Sequence, residues 1–228
     1  MCPDKVAPDK IAQLRAYGAE VVVCPTSVEP EHPDSYYSVS DRLSKERAGA
    51  WKPDQYHNQH NPQAQYDTTG PEIWEQMGGD IDAFVAGVGS GGTISGAGRY
   101  LKSKNPSLRV VVADPVGSVV AEAAETGEIA YAGGSWLVEG IGEDFIPPNL
   151  DLSVVDEGVT VSDRDAFDAA RALLAVEGII GGSSTGTLVA GALDWCRRQT
   201  TPKRVVTFVC DTGNKYLSKV YDLSLIHI

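Results

Sequence analysis

Four short runs in this chain are built around consecutive apolar residues. They are EVVVCPT (Glu20–Thr26), IDAFVA (Ile81–Ala86), LRVVVADP (Leu108–Pro115) and RVVTFVCD (Arg204–Asp211). A strand with one wet face alternates apolar and polar residues. A strand that is apolar throughout is covered on both faces, which is the habit of parallel sheets. Helical patterns lie between the runs, so the order predicts an α/β fold: a three-layer sandwich around a mostly parallel sheet.

The helices carry their own punctuation. Ile11, Leu14 and Tyr17 recur at a spacing of three before Gly18, and 33–49 reads as a polar-faced helix. Pro71 sits in a first helical turn that stops at Gly78, and Thr93–Lys104 follows the second apolar run. Ser162 with Asp165 three residues on reads as an N-terminal capping box. Phe167, Ala170, Leu173 and Leu174 would form the apolar face of that helix and Gly178 its end. GNKYLSKVY (Gly213–Tyr221) predicts a last helix. WKPDQYHNQHNPQAQYDTTG (Trp51–Gly70) reads as one long irregular segment, rich in Asn, Gln and His, suited to a substrate loop.

Composition narrows the partners. A net charge of −12 and a pI near 4.7 repel nucleic acid and anionic membranes, leaving small molecules and proteins. Four scattered cysteines without a C-x-x-C pair suit a reducing compartment, and no apolar run reaches transmembrane length. A cytoplasmic protein is expected.

The stretch GVGSGGTISG (Gly87–Gly96) joins an apolar run to a helix and invites two readings. Gly87, Gly89 and Gly92 satisfy G-x-G-x-x-G, and Asp114 ends the next run where a dinucleotide fold keeps its ribose-binding acid. That alternative would make the chain a nicotinamide oxidoreductase. The same loop also reads Gly89-Ser90-Gly91-Gly92-Thr93. Small residues there bare backbone N–H groups at a helix N-terminus, and two hydroxyls are added, which is a cup for a terminal phosphate. No G-x-x-x-x-G-K-[ST] occurs. A second apolar–glycine–helix unit, IIGGSSTGTLVAGALDW (Ile179–Trp195), has its helix expected from Thr187 onward. It has no role in the nicotinamide reading.

GSGGT, then VEGIGEDFIP (Val138–Pro147), then EGIIGGSSTG (Glu177–Gly186), with VCPT before and DTGNKYLS after, resemble the cysteine synthase/cystathionine β-synthase family of pyridoxal-phosphate enzymes. The resemblance spans Lys5 to about Asp222. It implies the fold-type II architecture, with 1–50 a remnant of an incomplete smaller domain, 51–222 the large cofactor-binding domain, and a homodimer. It implies that Gly89, Ser90, Gly91, Gly92 and Thr93 hold the phosphate of pyridoxal 5′-phosphate and that Ser184 bonds its ring nitrogen. It also implies that Gln55, Tyr56, Glu139 and Gly140 face an amino-acid substrate. The reaction implied is the condensation of serine with homocysteine to cystathionine, the alternative being O-acetylserine with sulfide.

The family's cofactor-anchoring lysine lies in an S-x-K-D-R-like motif, followed by an S-G-N-T-G loop; neither occurs here. SVSDR (Ser38–Arg42) has Ser40 at the lysine position. The expectation is a truncated chain without a catalytic lysine, inactive alone, whose tail 223–228 is non-native. His57 and His60 are three apart but lack further ligands at metal spacing, so no metal is expected.

Overall fold

A computed structural model describes residues 1–6, 8–29, 31–129 and 133–222; the suspected non-native tail lies outside them. The chain divides into two compact units, Met1–Asp54 and Gln55 onward.

In the first unit the apolar run around Val21 pairs over only two residues. Strand β2 (Val23–Cys24) lies parallel to β1 (Cys2–Pro3). Helix α1 (Pro8–Ala16) ends before Gly18, whose φ of +88° makes the stop, but it buries no residue. Leu14 and Tyr17 stay 43 % and 79 % exposed, so the expected apolar stripe is not a packed face; a sheet of two-residue strands offers it little surface. Helix α2 (Tyr36–Glu46) is capped by Ser35, whose side chain accepts from the Ser38 N–H, and Ser40 lies on it.

The second unit is the sandwich. Strands β3 (Ala83–Ala86), β4 (Arg109–Pro115), β5 (Glu157–Val161) and β6 (Val205–Val206) form a fully parallel sheet in the order β5-β4-β3-β6. Successive residues point to opposite faces. Phe84, Ala86, Val110 and Val112 pack with Ile94 and Leu101 on one side; Ala83, Val85, Val111 and Ala113 pack with Phe167, Leu188 and Trp195 on the other. Ile94 and Leu101 belong to α5 (Gly92–Lys104), while Phe167 lies on α7 (Asp163–Glu177) and Leu188 and Trp195 on α8 (Ser183–Arg197). Each fully buried large side chain contributes about 2 kcal/mol by leaving water. The runs at Ile81–Ala86 and Leu108–Pro115 thus became strands with helices on both faces, while those at Glu20–Thr26 and Arg204–Asp211 pair over only two residues each and leave Val23 and Val209 exposed.

Several expectations need correction. The 51–70 segment is irregular only as far as Gln59. Helix α3 (His60–Asp67) and α4 (Thr69–Gln76) follow. Helix α3 has no apolar periodicity; it forms because α5 offers glycines for close approach. A Cβ on Gly96 would lie 2.1 Å from the Pro62 carbonyl oxygen. In α7 the capping box forms, the Asp165 N–H donating to Ser162 Oγ at 3.1 Å, but the buried face is Ala166, Phe167 and Ala170, with Leu174 exposed. No strand precedes α8, which starts at Ser183 rather than Thr187; Gly181 makes a lone bridge to Thr212. The last helix is a single 3-10 turn, Gly213–Lys215, pinned by buried Tyr216. Strand β5 and α6 (Val120–Thr126) carried no sequence signal that set them apart.

Candidate active site

Both glycine-bearing helices open at the carboxyl edge of the sheet. The chain leaves β3 toward β4, while β6 sits on the other flank of β3, so the crevice outside β3 and β6 is a topological switch point, where open α/β sheets bind ligands.

The first wall is the loop from Gly87 to Thr93. Gly91 is the N-cap of α5 in a left-handed conformation, φ +84°, and no side chain caps the helix. The N–H groups of Gly92, Thr93 and Ile94 therefore have no partner within the helix. The Ser95 N–H is the first to close, onto the Gly91 carbonyl. Ser90 and Thr93 are half-buried beside them. The loop has no room for side chains: a Cβ on Gly89 would lie 2.7 Å from the Gly140 carbonyl oxygen, and one on Gly91 2.7 Å from the Leu150 nitrogen.

The second wall is the start of α8. Ser183, Ser184, Thr185 and Thr187 are all buried. The Ser183 hydroxyl accepts from the Glu139 N–H at 3.0 Å. Thr185 Oγ1 accepts from the Cys210 N–H at 3.0 Å, and the Ser184 hydroxyl lies beside the Cys210 thiol. Protein mass around that thiol pushes its pKa up, partly offset by the Ser184 and Thr185 hydrogen bonds. The segment after β6 bolts the wall down: the Gly182 N–H donates to the Asp211 carbonyl, the Tyr216 hydroxyl to Asp211 Oδ2 at 2.9 Å, and the Tyr221 hydroxyl to the Gly181 carbonyl at 2.6 Å. Burial and the neighbouring Asp211 carboxylate both raise the Tyr216 pKa.

The segment Val138–Gly142 ties the two walls together. The Gly142 N–H donates to the Val88 carbonyl at 2.8 Å, Gly140 abuts Gly89, and Glu139 reaches Ser183. The Glu139 side chain is 5 % exposed and its Oε1 lies 3.0 Å from Lys219 Nζ, so it is an ion-paired anchor rather than a solvated acid. Gln55 lies in an exposed turn whose carbonyl accepts from Asn61 and Asn149. The half-buried Tyr56 donates its hydroxyl to Glu143 Oε1 at 2.7 Å and sets its ring 5.8 Å from that of Phe145.

Of the residues read from sequence, Gly89–Thr93 share one rim with Gly140 and, through Asn61, with the Gln55 turn. Glu139 reaches the α8 wall by way of Ser183, while Ser184 faces Cys210. Sequence reasoning missed Ser183, Asn61, Asn149 and Lys219. Ser183 was adjacent to a named serine; the others are partners across the fold with no local signal.

Asp114, the dinucleotide candidate, is no ribose ligand. It is fully buried, and its Oδ2 accepts from the Ala121 N–H at 2.9 Å at the start of α6. Burial, offset in part by hydrogen bonds from Ala121, Ser118 and Val120, raises its pKa to about 6. The folded carboxyl thus holds its proton more tightly than the unfolded one, so its contribution to stability falls as pH rises from about 4 through 6. The shift amounts to roughly 3 kcal/mol. In urea unfolding at a series of pH values, the stability of the unsubstituted protein relative to Asp114→Asn should drop by that order between pH 4 and 7. A difference independent of pH would contradict the assignment.

Among the described residues no cluster of three or more His, Cys, Asp or Glu could hold a metal ion. No described helix is long and apolar enough to cross a membrane.

Residues 1–211 match the profile of the family described as pyridoxal-phosphate dependent enzymes. This chain belongs to that family. Among similar pyridoxal-phosphate enzymes are the cystathionine beta-synthases of Apis mellifera, 39 % identical over 218 residues, and of Mus musculus, 41 % identical over 217. Each alignment covers 95 % of this chain, and 42 % and 38 % of those proteins. A probable cysteine synthase of Bacillus subtilis is 38 % identical over 219 residues, 95 % of this chain and 67 % of that protein. The chain spans about two fifths of the length of the cystathionine beta-synthases it matches. The family's cofactor fits what is built here: a phosphate dianion wants converging N–H and hydroxyl donors on a surface free of side chains, and the Gly89–Thr93 loop is such a surface. A nicotinamide enzyme is not favoured, since Asp114 is used internally.

Proposed function

We propose that this chain is part of the catalytic core of a pyridoxal-phosphate enzyme that replaces the β-substituent of a serine-type substrate by a thiol, condensing serine with homocysteine to cystathionine. The observation that carries the reading is the pair of helix N-termini at one crevice, joined by the Val138–Gly142 segment. The similarity to cystathionine beta-synthases over 95 % of the chain supports the choice of acceptor.

In this reading the N–H groups of Gly92, Thr93 and Ile94 and the hydroxyls of Ser90 and Thr93 hold the phosphate. Ser184 donates a hydrogen bond to the ring nitrogen and, being neutral, leaves it unprotonated. Gly140 and the Gln55–Tyr56 turn line the substrate side, and Glu139 keeps Gly140 in place through Ser183 and Lys219. When bound, pyridoxal phosphate draws electrons from the substrate α-carbon, which lets the β-substituent leave. The Lys219 ammonium is held by Glu139 and is no anchor for the cofactor.

Borohydride reduction of the protein with pyridoxal phosphate, followed by peptide mapping, tests this arrangement. The expected result is no single stoichiometric lysine adduct within this chain; one at Lys219 would overturn the assigned role. The protein carrying this chain together with the anchoring lysine should form cystathionine from serine and homocysteine. The Bacillus subtilis relative, a probable cysteine synthase, favours sulfide as the second reading. Faster turnover of O-acetylserine with sulfide would select it.

A further inference from the structure

Asn61 stands between the phosphate cup and the Gln55 turn. Its Nδ2 lies 2.8 Å from Ser90 Oγ and 2.8 Å from the Gln55 carbonyl oxygen. A carbonyl only accepts, so the amide face turned to it is the NH2, and both of its protons are spent: one on Gln55, one on Ser90. Its Oδ1 lies on the α5 side, where glycine makes room; a Cβ on Gly92 would be 2.0 Å away.

A serine hydroxyl has one proton and two lone pairs. Asn61 occupies one lone pair and, being a donor there, cannot take the proton. The Ser90 proton is therefore left for an acceptor. A phosphate dianion offers acceptors only, so a hydroxyl presented lone-pair first would repel it. The Gln55 turn is braced from its other side by buried Asn149, whose Nδ2 donates to the carbonyls of Gln55 and Asn58 and whose Oδ1 accepts from Gln59. The turn and the cup thus share one amide.

We propose that Asn61 is a positioning residue: it aims the Ser90 hydroxyl proton at the cofactor phosphate and locks the Gln55 turn to the same loop. The proposal rests on the reading of Gly89–Thr93 as the phosphate cup. The test is a double-substitution cycle with Ser90→Ala, read by spectroscopic titration with pyridoxal phosphate and by competition with inorganic phosphate. Asn61→Leu should weaken binding about tenfold, and in the Ser90→Ala background by less than twofold, because no hydroxyl remains to aim. Amide exchange over Gln55–Asn58 should quicken in Asn61→Leu but not in Ser90→Ala. Should Asn61→Leu fail to fold, Asn61→Ala carries the same cycle. An unchanged affinity in the Asn61 variant, or the same loss with and without Ser90, overturns the proposal and leaves the cup standing. Absence of binding by the unsubstituted protein overturns both.

Discussion

Gly186→Ala should destabilise the protein by about 3 kcal/mol or more, a fall in Tm of about 10 °C for a chain of this size. Helix propensity alone gives the opposite sign, because alanine gains nearly 1 kcal/mol over glycine in a helix interior. Packing decides it. A Cβ on Gly186 would lie 1.9 Å from the Ala166 carbonyl oxygen and 3.0 Å from Ala170 Cβ. Both belong to α7, and a helix backbone cannot swing aside as a side chain can. Relief requires α7 and α8 to separate, which opens voids among Phe167, Leu188 and Trp195 in the core they share. Gly178→Ala is the control: nothing lies within 4 Å, so only the cost of its φ of +70° applies, about 1 kcal/mol. Thermal or urea unfolding of the two variants reads the difference directly. Equal, small effects would mean that the two helices do not approach as closely as described.

Gly89→Ala should lower affinity for pyridoxal phosphate by about a hundredfold, close to 3 kcal/mol, while costing little stability. The Gly89 backbone is not in the left-handed region, so alanine is tolerated conformationally. The methyl instead meets the Gly140 carbonyl at 2.7 Å. Gly140 is exposed but sits between buried Glu139 and Ile141, so relief moves the short Glu139–Ile141 segment and leaves the sheet in place. That shift spoils the convergence of donors on the phosphate and loosens the tie between the glycine loop and Ser183. Titration by cofactor fluorescence, beside a melting curve, separates the two effects. Unaltered affinity would place the phosphate elsewhere.

The parts legible in sequence are those set by local chemistry. Mostly apolar runs gave β3 and β4, Ser162 gave the cap of α7, and the glycine loop gave the start of α5. The parts that were not legible are set by distant partners. Helix α3 shows no stripe because it is held by glycines thirty residues away on α5. Asp114 looked like a ribose ligand because its position in a motif is visible and its hydrogen bond to Ala121 is not. Ser183 and Ser184 are equal in sequence; only the fold sends one to Glu139 and the other to Cys210. Asn61 carries no mark beyond preceding a proline, though it links two parts of the site.

The central claim is that the Gly89–Thr93 loop binds a phosphate monoester, and its most direct test compares pyridoxal phosphate with pyridoxal. Both carry the ring and the aldehyde; only one carries the phosphate. Pyridoxal phosphate should bind at least a hundredfold more tightly and be displaced by inorganic phosphate, with Ser90→Ala and Thr93→Val narrowing the gap. Equal binding of the two compounds, indifferent to added phosphate, would contradict it.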